Sequence, residues 1–137
     1  MLDTAVVASA FRSRLGASNL LLQAVARRQV VALVTTALFL EYEDVLQRPD
    51  QRHATGLDVG STERALAALA SVLEPVELHF RWRPQLDDPA DELVLEAAIN
   101  GRAAAIVTFN RRHFAGRIER FGLRVASPAE ILRRIVL

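Results

Sequence analysis

The chain has 137 residues, of which 51% are hydrophobic and 24% are charged, and its formal net charge is +1. This length and composition fit one soluble domain with a real core, and no apolar run is long enough to cross a bilayer. The absence of cysteine excludes disulfides, thiolate catalysis and cysteine–zinc sites, and it predicts a reducing, cytoplasmic setting.

Hydrophobic periodicity and capping residues predict strands that alternate with helices, and we expect residues 1–137 to form a single domain. In the first half we predict a short strand at Met1–Leu2, a helix from Thr4 to Arg12 and a second helix from Asn19 to Arg28 that is capped by Ser18. A strand from Val30 to Val34, a helix from Thr36 to Gln47 capped by Thr35 or Thr36, and a turn-rich connection from Arg48 to Gly60 follow.

In the second half we first predict a helix to Leu73, capped by Ser61 or Thr62, and a strand from Val76 to Phe80. A helix from Pro89 to Asn100, capped by Asp88, and a strand from Ala104 to Thr108 follow. The last predicted elements are a helical turn from Arg111 to Phe114, a strand from Leu123 to Ala126 and a terminal helix with a capping box from Ser127 to Glu130. Strands separated by helices predict a parallel sheet that is covered on both faces.

Several acidic residues lie where predicted strands end or helices begin. Asp3 follows the first strand, Asn110 follows the strand that ends at Thr108, and Asp88 and Asp91 open a helix. Glu41 interrupts the apolar positions of another helix. Ligands of parallel sheets bind beyond the carboxyl ends of the strands, and carboxylates suit a hard cation such as Mg2+. The pattern therefore favours metal-assisted phosphodiester chemistry.

Each of these residues also has a structural explanation. Asp88, Asp91 and the neighbouring Glu92 suit the first turn of a helix, and Asp3 can cap the helix that begins at Thr4. Glu41 can pair with an arginine, and Asn is common in the turn after a strand. The three histidines show no metal-ligand spacing, so we interpret them as surface or structural residues.

All 17 basic side chains are arginine, and a cluster of them follows Asn110. Biased coding explains the lack of lysine, yet the forked arginine head also matches the geometry of phosphate. Arg111 and Arg112 are the candidates to contact a nucleic-acid backbone. A basic rim of this kind beside an acidic pocket is compatible with a net charge near zero.

Five segments, in order, resemble the motifs of the PIN-domain family: Met1–Thr4, Glu41–Pro49, Asp88–Glu92, Ile106–Phe114 and Ser127–Leu132. The resemblance covers nearly the whole chain, and it is strongest to the toxin components of toxin–antitoxin systems that are related to VapC ribonucleases. It implies a three-layer α/β/α sandwich with a central parallel sheet. It also implies an acidic pocket that binds Mg2+ or Mn2+ and cuts RNA, a small cognate antitoxin, and a homodimer.

By this resemblance, Asp3, Glu41 and Asp91 match the first three acids of the family, and Asp88 lies in the same acidic stretch. Asn110 stands where many members have a fourth acid. Members with Asn there often carry an acid three residues later, where this chain has His113. The missing fourth acid predicts a weakened second metal site.

Two other hypotheses remain open. A non-catalytic PIN-like module that binds RNA or a partner protein would explain why Asn110 and His113 replace acids. A phosphatase or receiver-type protein would use Asp87–Asp88, but such proteins pair an aspartate with a lysine, and this chain has none.

Overall fold

The computed structural model describes residues 1–79 and 85–135, and it shows a mixed α/β protein with short parallel strands. The elements are α1 Thr4–Arg12, α2 Ala17–Ala26, β1 Leu33–Val34, α3 Thr36–Leu46, α4 Pro49–Thr55, α5 Val59–Val72, β2 Glu74–Pro75, α6 Pro89–Asn100, β3 Ala105–Val107, α7 Arg111–Phe114, a 3-10 turn at Glu119–Phe121, β4 Arg124–Ala126 and α8 Pro128–Ile135. The fold class predicted from the sequence is confirmed.

Three parallel segments meet at one edge of the structure. β3 pairs with β4 in parallel, and Leu2 forms a parallel bridge to Val107 on the other side of β3. The Asp3 N–H donates to the Val107 carbonyl at 2.9 Å, and the Thr108 N–H donates to the Ala126 carbonyl at 2.9 Å. Because the three segments run in the same direction, the residues that follow them lie at a common edge.

A second parallel pair, β1 with β2, joins residues that are far apart in sequence, and α6 ends against it. Gly101 is the C-cap of α6. A Cβ atom at this position would lie 2.8 Å from Leu33 Cδ1 and 3.0 Å from Val76 Cγ2. A side chain at position 101 would displace Leu33 and crowd Val76, so glycine favours the close approach of the C-terminal end of α6 to β1–β2.

The buried apolar residues form one cluster, to which α1, α3, α6 and β3 all contribute. Tyr42 of α3 is fully buried, and its hydroxyl donates to the Leu2 carbonyl at 2.5 Å. This bond fixes α3 beside the short strand that leads to Asp3. The core thus packs directly behind the edge of the structure at which the acids were predicted. None of the helices in the described ranges is both long and apolar enough to cross a membrane.

Several predicted boundaries are wrong. The expected connection from 48 to 60 contains the helix α4, which starts at Pro49 because proline suits the first helical position. α5 is capped by Asp58, whose side chain accepts from the Ser61 N–H, so Ser61 and Thr62 lie inside the helix. α2 begins at Ala17 after Gly16, one position before the predicted cap.

The strands of the first sheet are also shorter than predicted. The strand expected from Val30 to Val34 is confined to the two residues of β1. The strand expected from Val76 to Phe80 is replaced by β2, which ends at Pro75, and Phe80 lies outside the described residues. β-Branched residues favour strands, but only the positions that find a pairing partner form a ladder.

Candidate active site

Asp3 lies at the carboxyl end of its short strand, and its carboxylate is held by Thr108. Asp3 is buried, and its Oδ2 atom accepts a hydrogen bond from the Thr108 hydroxyl at 2.6 Å. Asp3 occupies the N-cap position of α1, but its side chain makes no capping bond. The capping alternative therefore explains its position and not its side chain. Burial raises the pKa of Asp3 above its ordinary value, although the bond from Thr108 opposes this shift.

Asp91 lies in the first turn of α6, with a side chain that is only 9% exposed. Burial is the main cause that raises the pKa of Asp91, and the negative charge of Asp3 raises it further. The charge of Asp88 adds to the same shift and also raises the pKa of Asp3. Asp3, Asp88 and Asp91 thus lie close enough to repel one another when they are ionised.

The other two acids at the start of α6 have structural roles. One oxygen of Asp88 accepts from the Ala90 N–H at 2.9 Å, so the capping function predicted for it is present. Its other oxygen has no such bond to the helix. Glu92 is buried, and its Oε1 accepts from the backbone N–H groups of Gln85 and Leu86. Glu92 therefore holds the loop before α6.

Glu41 is half-buried on α3, next to Tyr42. Within the described ranges, no arginine forms an ion pair with Glu41, so the ion-pair alternative finds no support there. The hydroxyl of Tyr42 binds the backbone of Leu2, the residue before Asp3. Glu41 is thereby carried on the helix that packs beside the strand of Asp3, and its role as a metal ligand stays a prediction.

His113 was interpreted from the sequence as a surface or structural residue, and this interpretation missed its contact with the site. Its Nδ1 atom lies 2.9 Å from Asp91 Oδ2. The available signal was its position, three residues after Asn110, where an acid is common in the resembling family. A four-residue helix that starts after Asn110 turns His113 towards α6. Thr108 was missed as well, because a hydroxyl donor carries no charge pattern.

Asn110 and the two arginines that follow it lie at the exposed side of the site. Asn110 is the N-cap of α7, but its side chain makes no capping bond. The Arg111 guanidinium pairs with Glu130, the acid of the capping box that opens α8. Arg112 is exposed, and no ion pair involves it within the described residues. Arg112 is therefore the freer of the two predicted contacts to RNA.

The donor atoms at this edge suit a divalent cation. Asp3 and Asp91 are buried carboxylates that repel each other, and no arginine in the described part of the chain pairs with either. Within residues 1–79 and 85–135, no three Asp, Glu or His side chains are arranged as a complete metal-binding group. Mg2+ is commonly held by one or two carboxylates together with waters and substrate phosphates, so two acids fit this ion.

Comparison with known proteins gives one match. The family model described as the PIN domain matches residues 1–112 of the chain. No curated protein matches the chain, and no solved structure matches it. The family match covers most of the chain, including Asp3, Glu41, Asp91 and Asn110. The chain therefore belongs to the PIN domain family, as its motifs predicted, and it has the nuclease-type fold of that family.

Proposed function

We propose that this PIN domain is a metal-dependent endoribonuclease that hydrolyses RNA phosphodiester bonds with Mg2+ or Mn2+. The observation that carries the proposal is the pair of buried carboxylates, Asp3 and Asp91, whose pKa values are both raised and which no described arginine neutralises. Perturbed acids of this kind concentrate at functional sites. PIN domains are in general nucleases, which gives the pair its most direct use.

The residues of this edge have separate roles in the proposed site. Asp3 and Asp91 would hold the cation, and Asp88 at the start of α6 and Glu41 on α3 are further candidate ligands. When bound, the ion stabilises negative charge on the scissile phosphate and activates a water. Thr108 keeps the Asp3 carboxylate in place through its hydroxyl, at 2.6 Å.

RNA would approach from the exposed side of α7. Arg112 is free to contact a phosphate, whereas Arg111 must leave Glu130 or share its guanidinium with it. Arg117 is already paired with the exposed Asp87 at 3.0 Å, in an ion pair of the kind that contributes little to stability. Binding of RNA should therefore depend more on Arg112 than on Arg111.

The biological setting that fits this proposal is a toxin–antitoxin pair in the cytoplasm. In that setting the chain is the toxin and a small antitoxin protein is its partner. We also propose a homodimer, because Leu20 of α2 and Leu40 of α3 are 45% and 55% exposed and offer apolar surface for a second copy. These assignments extend the resemblance of the motifs and add no residue to the site.

Cleavage of a mixed single-stranded RNA pool tests the proposed activity, with Mg2+ or Mn2+ in the reaction and EDTA as the metal-free control. We expect Asp91→Asn to lower cleavage by more than about 100-fold, since even the outer partners of metal ligands are worth about 10–100-fold. The matched control is Asp87→Asn, which removes an acid from the same acidic stretch at a side chain that is 91% exposed. Equal loss in both variants would refute the role of Asp91.

A second candidate is a non-catalytic module that binds RNA or a partner protein, favoured by Asn110 and His113 in place of acids. Asn110→Asp restores an acid at the carboxyl end of β3. If the wild-type chain and this variant are both folded and inert with either metal, the binding module replaces the nuclease as the conclusion. Cleavage by either protein retains the nuclease.

A further inference from the structure

We propose that His113 is a positioning residue, which orients the Asp91 carboxylate for metal binding through a hydrogen bond from its Nδ1–H group. This inference rests on the proposed function and assigns a role to the residue that replaces the acid of the family pattern. It is carried by the contact between His113 Nδ1 and Asp91 Oδ2, which lie 2.9 Å apart.

The two partners of this contact differ in exposure, which decides the direction of the effect. The Asp91 side chain is 9% exposed, whereas that of His113 is 48% exposed. The buried carboxylate has few alternatives to this bond, while the imidazole can reach water with its other nitrogen. Loss of the bond therefore frees Asp91 to rotate much more than it changes the surroundings of His113.

His113 is held in place by the backbone around it. The backbone N–H of His113 donates to the Asn110 carbonyl at 3.0 Å, and the next residue, Phe114, is fully buried and anchors α7. The Asn110 N–H in turn donates to the Thr108 hydroxyl at 3.0 Å. The same hydroxyl donates to Asp3, so residues 108–113 support both buried acids from one short segment.

The hydrogen bond fixes the form of the imidazole. An ionised carboxylate only accepts hydrogen bonds, so the proton lies on Nδ1 of His113 and Nε2 carries a lone pair in the neutral ring. The bond occupies Oδ2 of Asp91, and no hydrogen bond from the described residues reaches Oδ1. Carboxylates that bind metals are commonly fixed by an outer hydrogen bond of this kind, and its loss costs about 10–100-fold in affinity.

Titration calorimetry with Mn2+ on the intact chain, without RNA, tests the proposal. We expect His113→Ala to weaken Mn2+ binding by about 10–100-fold. His113→Asn should bind within about threefold of wild type, because the amide nitrogen of Asn is attached to Cγ as Nδ1 is and keeps a donor. His53→Ala is the control, since His53 is exposed on α4.

Two calorimetric outcomes overturn the proposal. If His113→Ala binds Mn2+ as tightly as wild type, the bond to Asp91 does not prepare the site. If His113→Asn is as weak as His113→Ala, the imidazole acts in some way other than by donating to Asp91, for instance as a direct ligand. If wild type itself binds no Mn2+, the proposed function fails, and the role of His113 in metal binding fails with it.

A spectroscopic measurement separates the contact itself from the function. Long-range 1H–15N NMR reports which ring nitrogen of His113 carries the proton in the metal-free chain. We expect the Nδ1–H form at a pH where the ring is neutral. The Nε2–H form would overturn the proposal even in a protein that binds Mn2+, because Nδ1 would then have no proton to donate to Asp91.

Discussion

Replacing Thr108 by valine tests how the site holds a buried acid. Valine has nearly the shape of threonine but lacks the hydroxyl, and Thr108 is only 1% exposed. The substitution removes the 2.6 Å bond to Asp3 and also the acceptor of the Asn110 N–H. Asp3 then keeps its burial but loses the donor that opposes the cost of that burial.

The magnitude follows from the charge on the acceptor. A hydrogen bond to a charged group contributes about 1.5–3 kcal/mol, and Asn110 is an exposed residue whose N–H can bond to water instead. We therefore expect Thr108→Val to lower the free energy of unfolding by about 2 kcal/mol. With a urea slope of about 2 kcal/mol/M for a domain of this size, the unfolding midpoint falls by about 1 M.

The loss depends on pH in a direction that the pKa of Asp3 sets. Because the folded pKa of Asp3 lies above its ordinary value, ionisation of Asp3 disfavours folding, and its contribution to stability improves as the pH falls through that pKa. Thr108 lowers the pKa of Asp3, so the variant raises it further. The cost of Thr108→Val is therefore full above the higher pKa that Asp3 has in the variant, and it shrinks as the pH falls and the carboxyl becomes protonated.

Urea unfolding of the metal-free protein, followed by circular dichroism at several pH values, measures both effects. Thr62→Val is the matched control, because Thr62 is also 1% exposed and its hydroxyl has no hydrogen-bond partner among the described residues. That variant should leave the midpoint unchanged or raise it, since no bond is lost. If Thr108→Val costs no more than Thr62→Val at neutral pH, the proposed support of Asp3 by Thr108 is refuted.

Three further outcomes are expected. Asp91→Asn, which removes a repelling buried charge and keeps an acceptor for His113, should unfold at the same or a higher urea concentration than wild type, and a lower midpoint would contradict this. Asn110→Asp lies at an exposed side chain, so it should change stability by less than about 0.5 kcal/mol and tighten Mn2+ binding in calorimetry. Light scattering at micromolar concentration should give the mass of a dimer, and a monomer would refute the association proposed for Leu20 and Leu40.

The sequence predicted the fold class because the strongest local signals agree with the tertiary structure. The helix α6 begins and ends where its capping residues predict, with Asp88 as its N-cap, Pro89 at its first position and Gly101 as its C-cap. The lengths of the strands in the β1–β2 pair were predicted wrongly. A sequence pattern shows which residues favour a strand, but pairing with a neighbouring strand decides where the ladder ends. The helix α4 was not predicted, because the polar, turn-forming residues around Pro49 indicated a connection and not the first turn of a helix.

The candidate site was predictable only where charge marks it. Asp3 and Asp91 could be selected because acids at a strand end and a helix start share a known geometry. Thr108 and His113 contact these acids from positions 105 and 22 residues away in the sequence. Contacts at such separations depend on the register of three strands and on one short helix, which no local pattern specifies.

The arginines near the site explain why the two buried acids, Asp3 and Asp91, have no arginine partner in the described part of the chain. Arg111 follows closely after Thr108 in the sequence, but its guanidinium pairs with Glu130 at the start of α8 and not with either acid. Arg117 is drawn to Asp87 in the same way. A carboxylate buried without a cation is costly, so selection for stability alone would favour an apolar residue, or at least a paired acid, at such a position. Here Arg111 and Arg117 pair with outer acids, and His113 supplies Asp91 with a hydrogen bond instead. Asp3 and Asp91 therefore remain available to bind a cation, as the proposed metal-dependent nuclease activity requires.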